Sequence, residues 1–206
     1  SNDYNGSGSI AKITNAKFRD VSAWYHIVLA LDSTQGTASN RSKLYVNGTQ
    51  ITDFGTDSGG SQNQNLMGNT SGKNIYIGGD GGQDTRYCGL YMAEVVFIDG
   101  QQLDATSFGE FDADSPNIWK PKDVSDLTFG NNGFYLDFED SSNLGNDVNG
   151  GTDLTEVNIA ATDQSTDTCT NNFCTLNPLD LSRLNNDGTT SGSYTHLRAH
   201  ETFANL

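Results

Sequence analysis

Trp24-Tyr-His-Ile-Val-Leu-Ala-Leu31 is the stretch whose reading decides the fold. Its apolar groups fall on both alternating sets, Tyr25, Ile27, Leu29 and Leu31 against Trp24, Val28 and Ala30, as in a strand buried on both faces. A central strand is predicted. Downstream, Lys43-Leu-Tyr-Val46 and Thr49-Gln-Ile51 flank Asn47-Gly48. A type I′ turn needs positive φ at both central residues, which Asn and Gly tolerate, so these residues predict a hairpin.

The composition agrees with a strand-and-turn protein. Gly, Asn, Asp, Ser and Thr supply 106 of the 206 residues, while Leu, Ile, Val and Phe supply only 43. That apolar share is small, yet ten Phe, eight Tyr and two Trp are more than a disordered polar tract carries. The net charge of −15 comes from Asp (21) far more than Glu (5), and Asp favours turns over helix interiors. Eleven scattered Lys and Arg argue against a nucleic-acid partner, because phosphate binding needs clustered cations. No apolar run approaches the roughly 20 residues of a membrane helix, so no membrane insertion is expected. The first residues carry neither a basic nor an apolar signal segment, and the missing initiator Met suggests an internal fragment.

Further strands are predicted at Ile75-Tyr-Ile77, at Leu90 to Ile98 and at Phe134 to Phe138, the last with Phe134, Leu136 and Phe138 on one face. Residues 53 to 74 are polar and Gly-rich and read as a long surface loop. Asp104 or Thr106 suits the cap of one helical turn, and Trp119-Lys-Pro121 reads as an extended crossing. The expected core is Trp24, Tyr25, Ile27, Val28, Leu29, Leu44, Val46, Ile75, Ile77, Met92, Val95 and Phe97. The organisation expected is a sandwich domain over 1–139, a polar linker or the start of a following module over 140–192, and a non-native tail over 193–206. Cys88, Cys169 and Cys174 allow at most one intrachain disulfide, and free thiols are the default for the last two.

Four ordered motifs carry a resemblance: Ala23-Trp-Tyr-His-Ile-Val28, Leu44-Tyr-Val-Asn-Gly48, Ile75-Tyr-Ile-Gly78 and Gly89-Leu-Tyr-Met-Ala-Glu-Val95. Their order resembles the laminin G-like branch of the concanavalin A-like jelly rolls. Phe18-Arg-Asp-Val-Ser-Ala-Trp-Tyr-His26, Ser107-Phe-Gly-Glu110, Trp119-Lys-Pro-Lys122 and Thr170-Asn-Asn-Phe-Cys-Thr-Leu-Asn-Pro-Leu179 look similar to tail-associated structural proteins of environmental bacteriophages. The resemblance implies an all-β jelly-roll sandwich lacking some N-terminal strands, in a virion or extracellular setting. It also implies a non-enzymatic tail-fibre or decoration-type role, with host cell-surface glycans, other virion proteins or further copies of the chain as partners. A free carbohydrate-binding module and a glycoside hydrolase of the same fold are the alternatives.

The chemistry-bearing residues favour binding over turnover. A retaining glycosidase needs two carboxyls about 5 to 5.5 Å apart, and the family-type Glu-x-Asp-x-x-Glu pattern is absent. Glu110, Asp112 and Asp114 have strand spacing but precede Pro116 and read as a solvated loop; Asp137 and Glu139 read as the wet face of a strand. His26 reads as a structural histidine. The resemblance implies calcium at the loop rim, with Asp80 and Asp84 as candidate ligands. Asp147-Val-Asn-Gly-Gly-Thr-Asp153 is a weaker candidate, for which turn chemistry suffices. For a sugar, Tyr87 supplies a stacking ring and Asn74 an amide beside the two carboxylates.

Overall fold

A computed structural model describes residues 10–20, 22–66, 70–72, 74–79, 89–166 and 168–169. Among these, nine strands form four small antiparallel sheets, with one four-residue helix and two single 3₁₀ turns. The protein is all-β. No helix among the described residues is long and apolar enough to cross a membrane.

The sheet at the predicted hairpin joins β2 (Ile27–Leu31), β3 (Ser42–Val46) and β4 (Thr49–Gln50) in that order. Asn47 and Gly48 take φ of 48° and 77°, as a type I′ turn requires. Asn47 also closes the sheet, its side-chain Oδ1 accepting from the His26 backbone amide at 2.8 Å while its backbone amide donates to the His26 carbonyl at 2.8 Å. Before β3, the short helix α1 (Ala38–Arg41) brings in Arg41. Its buried guanidinium donates to the Gly59, Gln35 and Gly36 carbonyls and ties the 32–36 loop to the next strand.

That next strand corrects the expected loop at 53 to 74. Residues Phe54–Gly59 form β5, antiparallel to β1 (Ile10–Thr14), with a register shift between Ile13 and Thr14. Lys12 stands opposite Asp57 and pairs with it, and its ammonium lies 4.6 Å from the Phe54 ring centroid. Cross-strand pairs of this kind stabilise a strand that apolar alternation does not mark.

Two more ribbons follow. β6 (Val95–Phe97) pairs with β9 (Phe134–Leu136), and Phe97 stacks on its opposite number Phe134 at 5.5 Å. β7 (Gly109–Phe111) pairs with β8 (Trp119–Pro121). Between β6 and β7 a 3₁₀ turn, Ala105–Ser107, starts at Asp104, whose Oδ1 accepts from the Thr106 amide at 2.9 Å as the cap reading predicts. The strand reading holds at Phe134–Leu136 but not at Ile75-Tyr-Ile77 or at 90–94, where no strand forms.

The buried apolar residues are Val28, Ala30, Val46, Ala105, Val124, Phe129, Phe134, Leu136 and Leu144. Only Val28 and Val46 come from the core read off the sequence. Ile75 and Met92 are exposed, and β2 is buried through one alternating set: Val28 is 8% exposed, whereas Ile27 is 64% and Leu29 53% exposed. The physical reason is layering: the face that carries Val28 and Ala30 is covered, whereas the face that carries Ile27 and Leu29 is open. Among the described residues β2 pairs with β3 alone and so lies at a sheet edge.

The chain divides into two compact units, Ser1–Gln164 and Ser165–Leu206, so residues 140–164 cluster with the strands before them. Asp147 is 5% exposed and organises this stretch. Its Oδ1 accepts from the amides of Tyr135 (2.8 Å) and Asn149 (3.1 Å) and its Oδ2 from that of Gly151 (2.9 Å). The Val148 amide donates to the Tyr135 carbonyl at 2.9 Å and the Leu154 amide to the Gly145 carbonyl at 2.8 Å. In the second unit Cys169 is exposed. Cys88, Cys174 and the 193–206 tail lie outside the described residues.

Candidate functional site

The strands β7 and β8 make a two-residue-thick ribbon whose faces differ in chemistry. Opposite pairs share a face in antiparallel register, so Phe111 meets Trp119 on one side and Glu110 meets Lys120 on the other. The expectation of a solvated loop at Glu110 to Asp114 is therefore corrected: Glu110 and Phe111 lie in a strand, and the turn begins at Asp112. That turn is built by Asp112 itself, whose Oδ1 accepts from the amides of Asp114 (2.8 Å) and Ser115 (3.0 Å).

On the aromatic face, Phe111 packs edge-on against Trp119 with ring centroids 5.0 Å apart, and Trp119 lies 5.7 Å from His26. Backbone without side chains makes room for the indole. A Cβ at Gly109 would come within 2.6 Å of it, and one at Gly48, where φ is +77°, would overlap its six-membered ring. Trp119 is thus wedged between the hairpin turn and β7, while the Phe111 ring stays 49% exposed. The indole Nε1 and the His26 Nδ1 are buried and make no hydrogen bond within the described residues. Burial also holds the His26 imidazole below its ordinary pKa. A neutral ring beside an indole is packing chemistry, which agrees with the structural reading of His26.

On the charged face, the Lys120 ammonium lies 3.4 Å from the Asp112 carboxylate and 3.6 Å from that of Glu110. Asp112 raises the Lys120 pKa first and Glu110 adds to it. The Asp112 carboxyl is held below its usual range, chiefly by the amides of Asp114 and Ser115 and then by Lys120. A general acid of glycoside hydrolysis needs the opposite shift, because it must hold its proton at working pH. Asp112 is built to stay ionised and to accept hydrogen bonds.

A second cluster surrounds Tyr135. Its hydroxyl donates to Glu94 Oε2, and Glu94 sits at φ +56°, a conformation that non-glycine residues seldom adopt. Burial, then the bond to Glu94 and the charges of Glu94, Asp137 and Asp123, push the phenol's pKa up. The hydroxyl is a neutral donor; Asp137 and Glu139, read as the wet face of a strand, follow β9, which ends at Leu136, and the Glu139 amide donates to Asp137 Oδ1 at 3.0 Å.

Of the residues singled out for a ligand, Asn74 is exposed and its Nδ2 donates to the Tyr76 hydroxyl at 3.2 Å. Tyr87, Asp80 and Asp84 lie outside the described residues. In the Asp147 to Asp153 stretch, both carboxylate oxygens of Asp147 are engaged by amides, and Asp153 accepts from the Asp147 amide (3.1 Å) and the Asn143 side chain (2.8 Å). Turn chemistry accounts for these acids, and no group of three or more His, Cys, Asp or Glu suited to a metal occurs among the described residues.

Sequence reasoning missed the Phe111–Trp119 face and the buried role of Asp147. The i, i+2 spacing of Glu110 and Asp112 around Phe111 carried the first signal; Pro116 sits inside the connecting turn, where the Ile118 amide donates to the Ser115 carbonyl, and does not end the ribbon. Comparison with protein-family models, with curated proteins and with solved structures yields no match.

Proposed function

We propose that this chain is a non-enzymatic structural and adhesion domain of a bacteriophage virion, a laminin G-like jelly-roll sandwich that binds glycans of the host cell surface. The observation that carries the binding half of this reading is the aromatic face of β7 and β8. Phe111 presents an exposed ring, Trp119 backs it, and two glycines lock Trp119 in place. Sugars stack their apolar C–H faces on rings of this kind, and rigid rings lose little entropy on binding. The virion half rests on the ordered motifs from Phe18 to Leu179.

Calcium, carried by Asp80 and Asp84, and a second sugar contact through Tyr87 and Asn74 belong to the same proposal. Extracellular modules of this kind hold the ion at roughly 10⁻⁴ to 10⁻³ M. The test is retention on an array of bacterial surface polysaccharides, with and without a calcium chelator. The expected result is binding that Phe111→Ala weakens about tenfold, or about 1.4 kcal/mol. Retention of no polysaccharide in either condition contradicts the adhesion reading; release of reducing ends from a bound polysaccharide favours the hydrolase instead.

A further inference from the structure

Among the described residues, the edge of β2 away from β3 is an unpaired row of backbone groups. The Asn47 amide donates to the His26 carbonyl and the Asp32 amide to the Arg41 carbonyl, each at 2.8 Å, so the even-numbered residues from 26 to 32 aim their backbone groups at β3. Ile27, Leu29 and Leu31 therefore aim theirs outward, and no hydrogen bond within the described residues reaches them. Further along, the edge is closed: the Asn63 amide donates to the Ser33 carbonyl at 2.8 Å and the Gln62 side chain to the Thr34 carbonyl at 3.0 Å. The open row is thus three residues long, its side chains are apolar, and Ile27 and Leu29 are largely exposed. Residues 27–31 carry none of the devices that protect an edge, neither Lys, Pro nor a bulge.

We infer that this edge pairs with the same edge of a second copy, β2 against β2, antiparallel and centred on Leu29. The row is self-complementary about that residue. With Leu29 opposite its own copy, Ile27 faces Leu31 of the other chain, and all three outward positions exchange amide and carbonyl bonds across a twofold axis. The same register puts no like charges opposite each other. A three-stranded sheet becomes one six-stranded sheet with the outward amides and carbonyls of its open edge paired. The net charge of −15 per chain opposes this approach, so association strengthens as salt screens it.

Sedimentation equilibrium of the full chain over a concentration series, at low and high salt, reads the association directly. A monomer–dimer equilibrium that tightens with salt is expected. Leu29→Lys sets two ammonium groups face to face at the axis and weakens the dimer about tenfold or more. Leu29→Pro removes an outward amide that the β2–β3 ladder does not use and acts the same way. Leu29→Cys joins the copies under mild oxidation, because directly opposite Cα atoms in such a pair are about 5.5 Å apart, within disulfide reach. Peptide mapping assigns that bond against the three native cysteines. A chain that is monomeric at every concentration and salt, or a dimer indifferent to Leu29→Lys and not linked by Leu29→Cys, overturns the inference. Capture of a different protein by a monomeric chain overturns it as well.

Discussion

The hairpin sheet over 27–50 and the stretch over 134–156 are held by different physics. In the first, alternating apolar side chains and a positive-φ turn specify the structure, and Val28, Ala30 and Val46 are buried. In the second, one short strand contributes Phe134 and Leu136, and the rest is shaped by carboxylates that accept from backbone amides, Asp147 above all. Apolar burial tolerates substitutions of similar volume. An acceptor serving three amides has no apolar substitute, because each hydrogen bond to a charged group contributes about 1.5 to 3 kcal/mol.

The largest effect is accordingly expected at Asp147. Asp147→Ala removes the charged acceptor of the Tyr135, Asn149 and Gly151 amides, of which water can reach the last two, and is expected to cost about 3 to 5 kcal/mol in denaturant unfolding. A cost under about 1 kcal/mol, the range of an ordinary surface change, would break the contrast. In the hairpin, Gly48→Ala combines a positive φ, about 1 kcal/mol, with overlap on Trp119, about 1 to 3 kcal/mol, for a loss of about 2 to 4 kcal/mol. Gly109→Ala meets the same indole without the φ term and sharpens the separation of the two.

A smaller effect follows from His26. Its folded-state pKa lies below the ordinary 6.5 because burial disfavours the charged ring. The unfolded chain therefore binds the proton more tightly, and stability declines as pH falls from about 6.5 towards the depressed value. Melting temperatures measured from neutral pH down to about 5.5 should show this decline, and His26→Gln should flatten it. Asp20, Asp32, Asp112, Asp123, Asp140 and Asp153, all held below 3.8 by hydrogen bonds, act only at lower pH. A modest effect is that of Phe111→Ala, expected to cost about 1 kcal/mol because the ring is half exposed and packs edge-on against Trp119. Its larger consequence is on glycan retention.

The same contrast decides what could be read from the sequence. Asn47-Gly48, the Asp104 cap and the Phe134/Leu136 alternation each leave a local signature, and each forms as expected. The strand β5 leaves none: Phe54-Gly-Thr-Asp-Ser-Gly59 is strand because β1, distant in sequence, pairs with it along its length, Lys12 standing opposite Asp57. Residues 24–31 pass every test for a central strand, yet β2 is an edge, since no local pattern says whether a neighbour exists on the far side. Asp147 likewise reads as one turn-former among 21 aspartates, and its burial depends on Tyr135 coming to it. Of the candidate site, the acidic spacing around Phe111 was legible. The partnership of Phe111 with Trp119 was not, because it arises from strand register.

Native-state hydrogen exchange on the full chain tests most directly whether the polar stretch is as much part of the first unit as the apolar hairpin. The amides of Tyr135, Asn149 and Gly151 are expected to exchange with the same opening free energy as those of Val28 and Ala30, in one cooperative step. Exchange of Asn149 and Gly151 at the rate of an unstructured chain, while Val28 and Ala30 stay protected, would contradict the account.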